Sequence, residues 1–231
     1  MIGRWDRAAG ILLAAAALLL AASAALIFGW APEERTMGPI QKIFYIHVPS
    51  AWVAFLAFFV VFLSSLAYLA GRRERFDRIA ASSAETGLLF CTLVLVTGPI
   101  WAKPVWGSWW TWDPRLTSTL VLWFLYLGYF ALRSYLPPGP RRSALAAVLG
   151  VIAFLDVPVI YFSIRWWRNQ HPSPVIAGGE GSGLDPRMRL VFLVSLAAFT
   201  VLYAGLLAAR TGVAERKARA DRLLEEWRER A

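Results

Sequence analysis

Six apolar runs of roughly twenty residues each recur along this chain, near 11–30, 50–70, 84–101, 116–136, 143–163 and 190–210. A helix rises about 1.5 Å per residue, so each run is long enough to cross the roughly 30 Å hydrocarbon core of a bilayer. Hydrocarbon offers no partner to backbone N–H and C=O groups, which leaves helices and closed barrels as the only spanning structures. No run alternates polar and apolar residues as a barrel strand does. The pattern predicts an all-α, polytopic membrane protein, a bundle of six transmembrane helices. Composition agrees: 58% of residues are hydrophobic and 17% charged, with mean hydropathy +0.52, outside the range of soluble domains. Residues 1–212 read as one six-span membrane domain. Residues 213–231, rich in Arg and Glu with Leu223, Leu224 and Trp227, read as an amphipathic tail.

Positive charge orients the bundle. Sixteen of the 24 Lys and Arg residues fall in segments 1–10, 71–83, 133–142 and 210–231, against eight in 31–49, 102–115 and 164–189. The richer set belongs on the cytoplasmic side, which predicts both termini cytoplasmic and three outer loops. The net charge of +9 then reflects anchoring at the anionic cytoplasmic leaflet, and no basic-aromatic module for nucleic acid is visible. The first run, with Arg4, Arg7 and Ala22-Ser23-Ala24, also resembles a secretory signal. Its apolar stretch exceeds the usual 7–15 residues of a signal core, and an uncleaved first helix is the expectation.

One outer loop is unusual. With Trp101, the stretch Trp106-Gly107-Ser108-Trp109-Trp110-Thr111-Trp112-Asp113-Pro114-Arg115 gathers five of the twelve tryptophans into twelve residues. Indoles offer large flat apolar faces with one polar edge, suited to gripping a flat ligand. An interfacial aromatic belt is the plainer alternative, although belts scatter their aromatics over many helix ends. The chain has two histidines, His47 and His171, both read here as lying in outer segments beside that loop. Two imidazoles approaching a flat site from opposite sides are what six-coordinate haem iron accepts; two solvated loop histidines are the alternative. Asp113-Pro114 and Asp185-Pro186 read as helix starts, an N-cap followed by proline at the first helical position. Arg115 then falls in a first turn, where a helix already favours anions, and it is the preferred partner for a ligand carboxylate over Lys103, Arg165 and Arg168.

Other chemistries find no motif. Cys91 is the lone cysteine, so there is no disulfide framework, no metal cluster and no Cys-x-x-Cys-His haem attachment. Neither a phosphate-binding Gly-x-x-x-x-Gly-Lys-Ser/Thr loop nor a Gly-x-Ser-x-Gly elbow occurs. Two acids fall within apolar runs. Glu85 reads as facing the cytoplasmic interface. Asp156, just before Val157-Pro158, reads either as a buried, neutral, hydrogen-bonded acid at a helix bend or as part of a ligand path.

The tryptophan stretch resembles the signature of haem-handling membrane proteins of cytochrome c maturation. Phe44-Tyr45-Ile46-His47-Val48-Pro49-Ser50 and Tyr161-Phe162-Ser163-Ile164-Arg165-Trp166-Trp167, followed by His171, are similar to the landmarks of one branch, the haem exporter protein C family. The resemblance runs from the first span through the last and stops at Thr211. It implies a six-span, multi-pass protein of the cell inner membrane that binds haem b at the outer face. In that family the axial ligands of the haem iron would be His47 and His171, and the platform Trp106, Gly107, Trp109, Trp110, Trp112, Asp113 and Arg115. It further implies delivery to a periplasmic haem chaperone, without enzymatic activity, and three partners: an ATP-binding subunit, a second membrane subunit and a small membrane protein. Asn169-Gln170-His171-Pro172 departs from the Thr-Leu-His-Gln context associated with the family, which bears on the second ligand. A haem lyase attaching haem to apocytochrome c, or a pore subunit of an ABC-type exporter, are the competing classes. The Gly178–Gly183 stretch could let one histidine loop move and so release its iron bond.

Overall fold

The computed structural model describes residues 4–167, 171 and 183–230. Seven α-helices supply the secondary structure among these residues, and no strand does; Glu34 and Gly38 form one isolated bridge. The helices are α1 (Arg4–Gly29), α2 (Phe44–Gly71), α3 (Glu74–Trp106), α4 (Pro114–Tyr135), α5 (Pro140–Phe154), α6 (Asp156–Trp166) and α7 (Pro186–Arg230). A short 3₁₀ helix, Pro39–Ile43, leads directly into α2. Six segments are long and apolar enough to cross a membrane, with α5 and α6 together making the fifth. The protein is the expected all-α multi-pass membrane protein.

The boundaries differ from the sequence reading in ways that bear on the site. The second span starts earlier, so that His47 lies in the first turn of α2 and not in a loop. The third helix passes through Pro99 and Pro104 to Trp106. The fifth span breaks at Leu155, three residues before Pro158, which lacks an N–H and whose ring opposes the carbonyl four residues back. The final helix continues without interruption to Arg230, so the tail is a helical extension of the last span, and Leu223, Leu224 and Trp227 are exposed on it.

Lipid tails are as apolar as leucine, so burial of apolar surface does little to bring these helices together; close packing and polar contacts must do it. Helix α2 lies at the centre: Val53, Ala57, Phe58 and Val61 are fully buried against α3, α4, α5 and α7. Phe58 stacks on Tyr126 with ring centroids 3.7 Å apart. Ser83 Oγ donates to the Ala57 carbonyl at 2.8 Å, leaving its lone pairs for the Tyr203 hydroxyl at the same distance. The first helix packs along α7, pinned by a Ser23–Ser195 hydrogen bond of 2.7 Å and by an Asp6–Arg216 ion pair. Glu85 does not simply face the interface as expected: both its oxygens accept from Arg210 of α7, at 2.5 and 2.8 Å.

At Gly87, α3 packs tightly against Ala57 and Phe58 of α2. A Cβ there would lie 2.6 Å from Phe58 Cε1, and Phe58 is held between its neighbours by the Tyr126 stack. Gly87→Ala is therefore expected to cost about 1–3 kcal/mol through overpacking. Thermal unfolding of the detergent-solubilised protein measures it; an unchanged midpoint would mean that the stack yields freely.

Candidate ligand site

One end of the bundle collects the C-terminus of α3, the N-termini of α2, α4 and α7 and the C-terminus of α6. The tryptophan loop bridges α3 to α4 across that end. The sequence determines its shape residue by residue. Gly107 ends α3 at φ 77°, a left-handed conformation that a side chain resists, while its N–H returns to the Lys103 carbonyl at 3.0 Å. Lys103 Nζ donates to the Gly107 carbonyl at 2.9 Å, so this lysine, a candidate carboxylate partner from sequence, caps its own helix. Ser108 donates to the Trp110 carbonyl at 2.8 Å. Asp113 is the N-cap of α4: its Oδ1 accepts from the N–H groups of Arg115 and Leu116 at 2.9 and 3.1 Å, and its Oδ2 from Thr111 at 2.8 Å. Pro114 follows at the first helical position, as the sequence indicated. Asp185 serves α7 likewise, accepting from the Arg187 N–H at 2.9 Å.

The tryptophans divide into two sets. Trp109 and Trp112 are 58% and 75% exposed, whereas Trp101, Trp106 and Trp110 are half-buried. Trp110 meets Trp112 edge-on at 5.7 Å. The indole N–H groups of Trp101 and Trp110 are buried with no acceptor among the described residues, a state that costs free energy unless something supplies one. Two further exposed indoles, Trp166 and Trp167, stand where α6 ends at the same end of the bundle.

His47 is 8% exposed and fixed from α3. Its Nδ1 lies 2.8 Å from Thr97 Oγ1, and the Trp101 ring meets it edge-on at 5.7 Å. His171 lies outside any helix, half-buried, with the Trp106 ring edge-on at 6.2 Å. The two histidines are thus flanked by two tryptophans of one helix, five residues apart. His171 and Arg115 are both close enough to His47 for their charges to act on it. Arg115 is itself half-buried, with Asp113 and Tyr161 nearby; it makes no ion pair or side-chain hydrogen bond among the described residues. Arg165 is exposed, and Arg168 falls outside the described residues along with most of the Gly178–Gly183 stretch.

All the site residues singled out from sequence lie at this end, in different roles. His47, His171, Trp106 and Arg115 converge; Gly107 and Asp113 shape the loop; Trp109 and Trp112 present open faces. Sequence reasoning missed Thr97 as the partner of His47 and Tyr161 as the neighbour of Arg115. Their separations, 50 residues from His47 and 46 from Arg115, left no local signal. Asp156 lies elsewhere, at the α5–α6 break, and its buried Oδ2 has no hydrogen-bond partner among the described residues, so the hydrogen-bonded acid expected there is not what the fold presents.

Comparisons with known proteins place nearly the whole chain in one family. The family model described as Heme exporter protein C matches residues 3–224, well past the Thr211 limit of the sequence resemblance and into the extension of α7. A protein named Heme exporter protein C from Bradyrhizobium diazoefficiens is 36% identical over 197 residues, which cover 84% of this chain and 75% of the relative. Its namesake from Escherichia coli K12 is 33% identical over 183 residues, 79% of this chain and 74% of the relative. A putative cytochrome c biosynthesis ccmC-like mitochondrial protein of Arabidopsis thaliana is 30% identical, covering 84% of this chain and 73% of its own length. With six membrane-spanning segments and a match over nearly its whole length, this chain belongs to the heme exporter protein C family, as a multi-pass protein of the inner membrane.

Proposed function

We propose that this protein binds haem b between His47 and His171 at the outer face of the membrane and passes it to a periplasmic haem chaperone during cytochrome c maturation. The observation that carries this reading is the pairing of each histidine with a tryptophan of the same helix, His47 with Trp101 and His171 with Trp106. The residues suit the ligand in other respects. The Nε2 of His47 makes no hydrogen bond among the described residues, so one ring nitrogen remains for iron. Arg115 supplies a cation, without an ion-pair partner among the described residues, for a haem carboxylate. Exposed Trp109 and Trp112 offer flat apolar faces to a macrocycle or to the protein that receives it.

The two histidines play unequal parts. A carrier must hold its cargo and still release it. His47, locked into α2, is the resident ligand; His171, outside any helix, is the one exchanged on delivery. This replaces the symmetric picture of two loop ligands that the sequence alone favoured. The protein acts as a carrier and not as a catalyst, with both termini cytoplasmic. An ATP-binding subunit, a second membrane subunit and a small membrane protein complete the complex, and ATP hydrolysis belongs to that partner.

The visible spectrum of full-length protein purified from haem-replete membranes tests the reading. A low-spin haem Soret band is expected. A colourless preparation would dismiss the carrier role and leave a pore subunit in its place.

A further inference from the structure

We propose that Thr97 is the positioning residue that holds His47 as the Nδ1–H tautomer and so presents its Nε2 lone pair to the incoming iron. The inference rests on the haem reading above and adds a residue to it. A hydroxyl carries one proton and two lone pairs. The Thr97 proton is committed: Oγ1 lies 2.6 Å from the Leu93 carbonyl, one helical turn back, and a carbonyl can only accept. The 2.8 Å contact between Thr97 Oγ1 and His47 Nδ1 then needs its proton from the ring. A neutral imidazole has one N–H, so a proton on Nδ1 leaves Nε2 with its lone pair.

The neighbours leave this assignment uncontested. Trp101 meets the ring edge-on, and its own N–H has no hydrogen-bond partner among the described residues, so it donates nothing to the imidazole. The chain Leu93 C=O, Thr97 Oγ1–H, His47 Nδ1–H runs in one direction. Through it α3 sets both the tautomer and the ring orientation of a residue on α2. A hydrogen-bonded ligand imidazole is also the stronger electron donor, which is why removing such partners typically weakens metal binding about 10–100-fold.

The test uses two variants of the full-length chain: Thr97→Val, nearly isosteric but without the acceptor, and Thr97→Ser, which keeps it. Nitrogen-15 NMR of haem-free protein carrying labelled histidine reads the tautomer directly. A His171→Ala background (with a tag free of histidine) leaves His47 as the sole signal. The Nδ1–H form is expected in the parent and in Thr97→Ser, and its loss in Thr97→Val. Hemin titration is expected to weaken about tenfold in Thr97→Val and to recover to within about twofold in Thr97→Ser, following the loss and return of the ligand's hydrogen bond. An Nε2–H tautomer in the parent, or a Thr97→Val protein that keeps both the parent tautomer and parent haem affinity, would overturn the assignment alone. Failure of the unaltered chain to bind haem would overturn the haem reading together with it.

Discussion

Alanine at position 47 is expected to strip the protein of most of its haem. Affinity for hemin should fall by at least about tenfold, since losing even a ligand's hydrogen-bonding partner costs that much. The expectation follows from how His47 is held. Its backbone is in the first turn of α2, its ring is buried, and Thr97 and Trp101 fix it from α3. No other histidine can swing into its place, because the chain has only one more. His171→Ala should be milder in affinity, leaving His47 attached and the opposite face of the iron open to water. Hemin titrations of the parent and both variants, followed at the Soret band, measure the difference. Equal losses at the two positions would mean that the ligands are equivalent, against the asymmetry of helix and non-helical segment.

The largest expected effect on stability lies at the other end of the bundle. Arg133 of α4 reaches Asp77 of α3 through both guanidinium nitrogens, at 2.6 and 2.9 Å, and one of these nitrogens also lies 3.4 Å from the Tyr129 hydroxyl. Both side chains are largely buried, with 14% and 10% exposure. Removing one member leaves the other charge enclosed without a partner, which typically costs about 3–5 kcal/mol. Asp77→Ala and Arg133→Ala should each destabilise the protein by about that much, because the survivor is left largely buried with its charge uncompensated. The double variant Asp77→Leu with Arg133→Met should lose far less, since no charge is left stranded. Unfolding by denaturing detergent, monitored by circular dichroism, reads all three. Additive losses in the double variant would show that the pair acts through packing and not through charge.

The six spans and their all-helical character were legible in the sequence because hydrocarbon permits so few alternatives to a long apolar helix. The caps were legible too: Asp113-Pro114 and Asp185-Pro186 act locally, within three residues of the N–H groups they satisfy. Span ends were harder to place. Charges at Glu74, Asp77 and Arg78 made the start of α3 look like a loop, yet Asp77 is paired with Arg133 and buried there. The third apolar run was read as ending near 101, yet the helix continues through Pro104 to Trp106. His47 was mislocated in a loop for a related reason: Pro49, six residues after the N-cap Ile43, looked like the start of the span, yet α2 begins at Phe44 and runs through it although proline has no N–H to give the Tyr45 carbonyl. Tertiary partners were invisible altogether. Nothing local to His47 points to Thr97, and nothing local to Glu85 points to Arg210, 125 residues away.

The candidate site was therefore recoverable as a set of residues and not as an arrangement. Tryptophan density and histidine scarcity located it. The division of labour inside it needed the fold: indoles turned outward at Trp109 and Trp112, indoles against imidazoles at Trp101 and Trp106, and a half-buried Arg115 beside Asp113 and Tyr161.

The central claim is that His47 and His171 hold one haem iron between them. Electron paramagnetic resonance of ferric-haem-loaded full-length protein, recorded for the parent, His47→Ala and His171→Ala, tests it most directly. The parent should give a low-spin signal, and any haem retained by either variant should be high-spin, since each has lost one of the two nitrogens. A low-spin signal that persists unchanged in either variant would contradict the account, because that histidine would then not be a ligand.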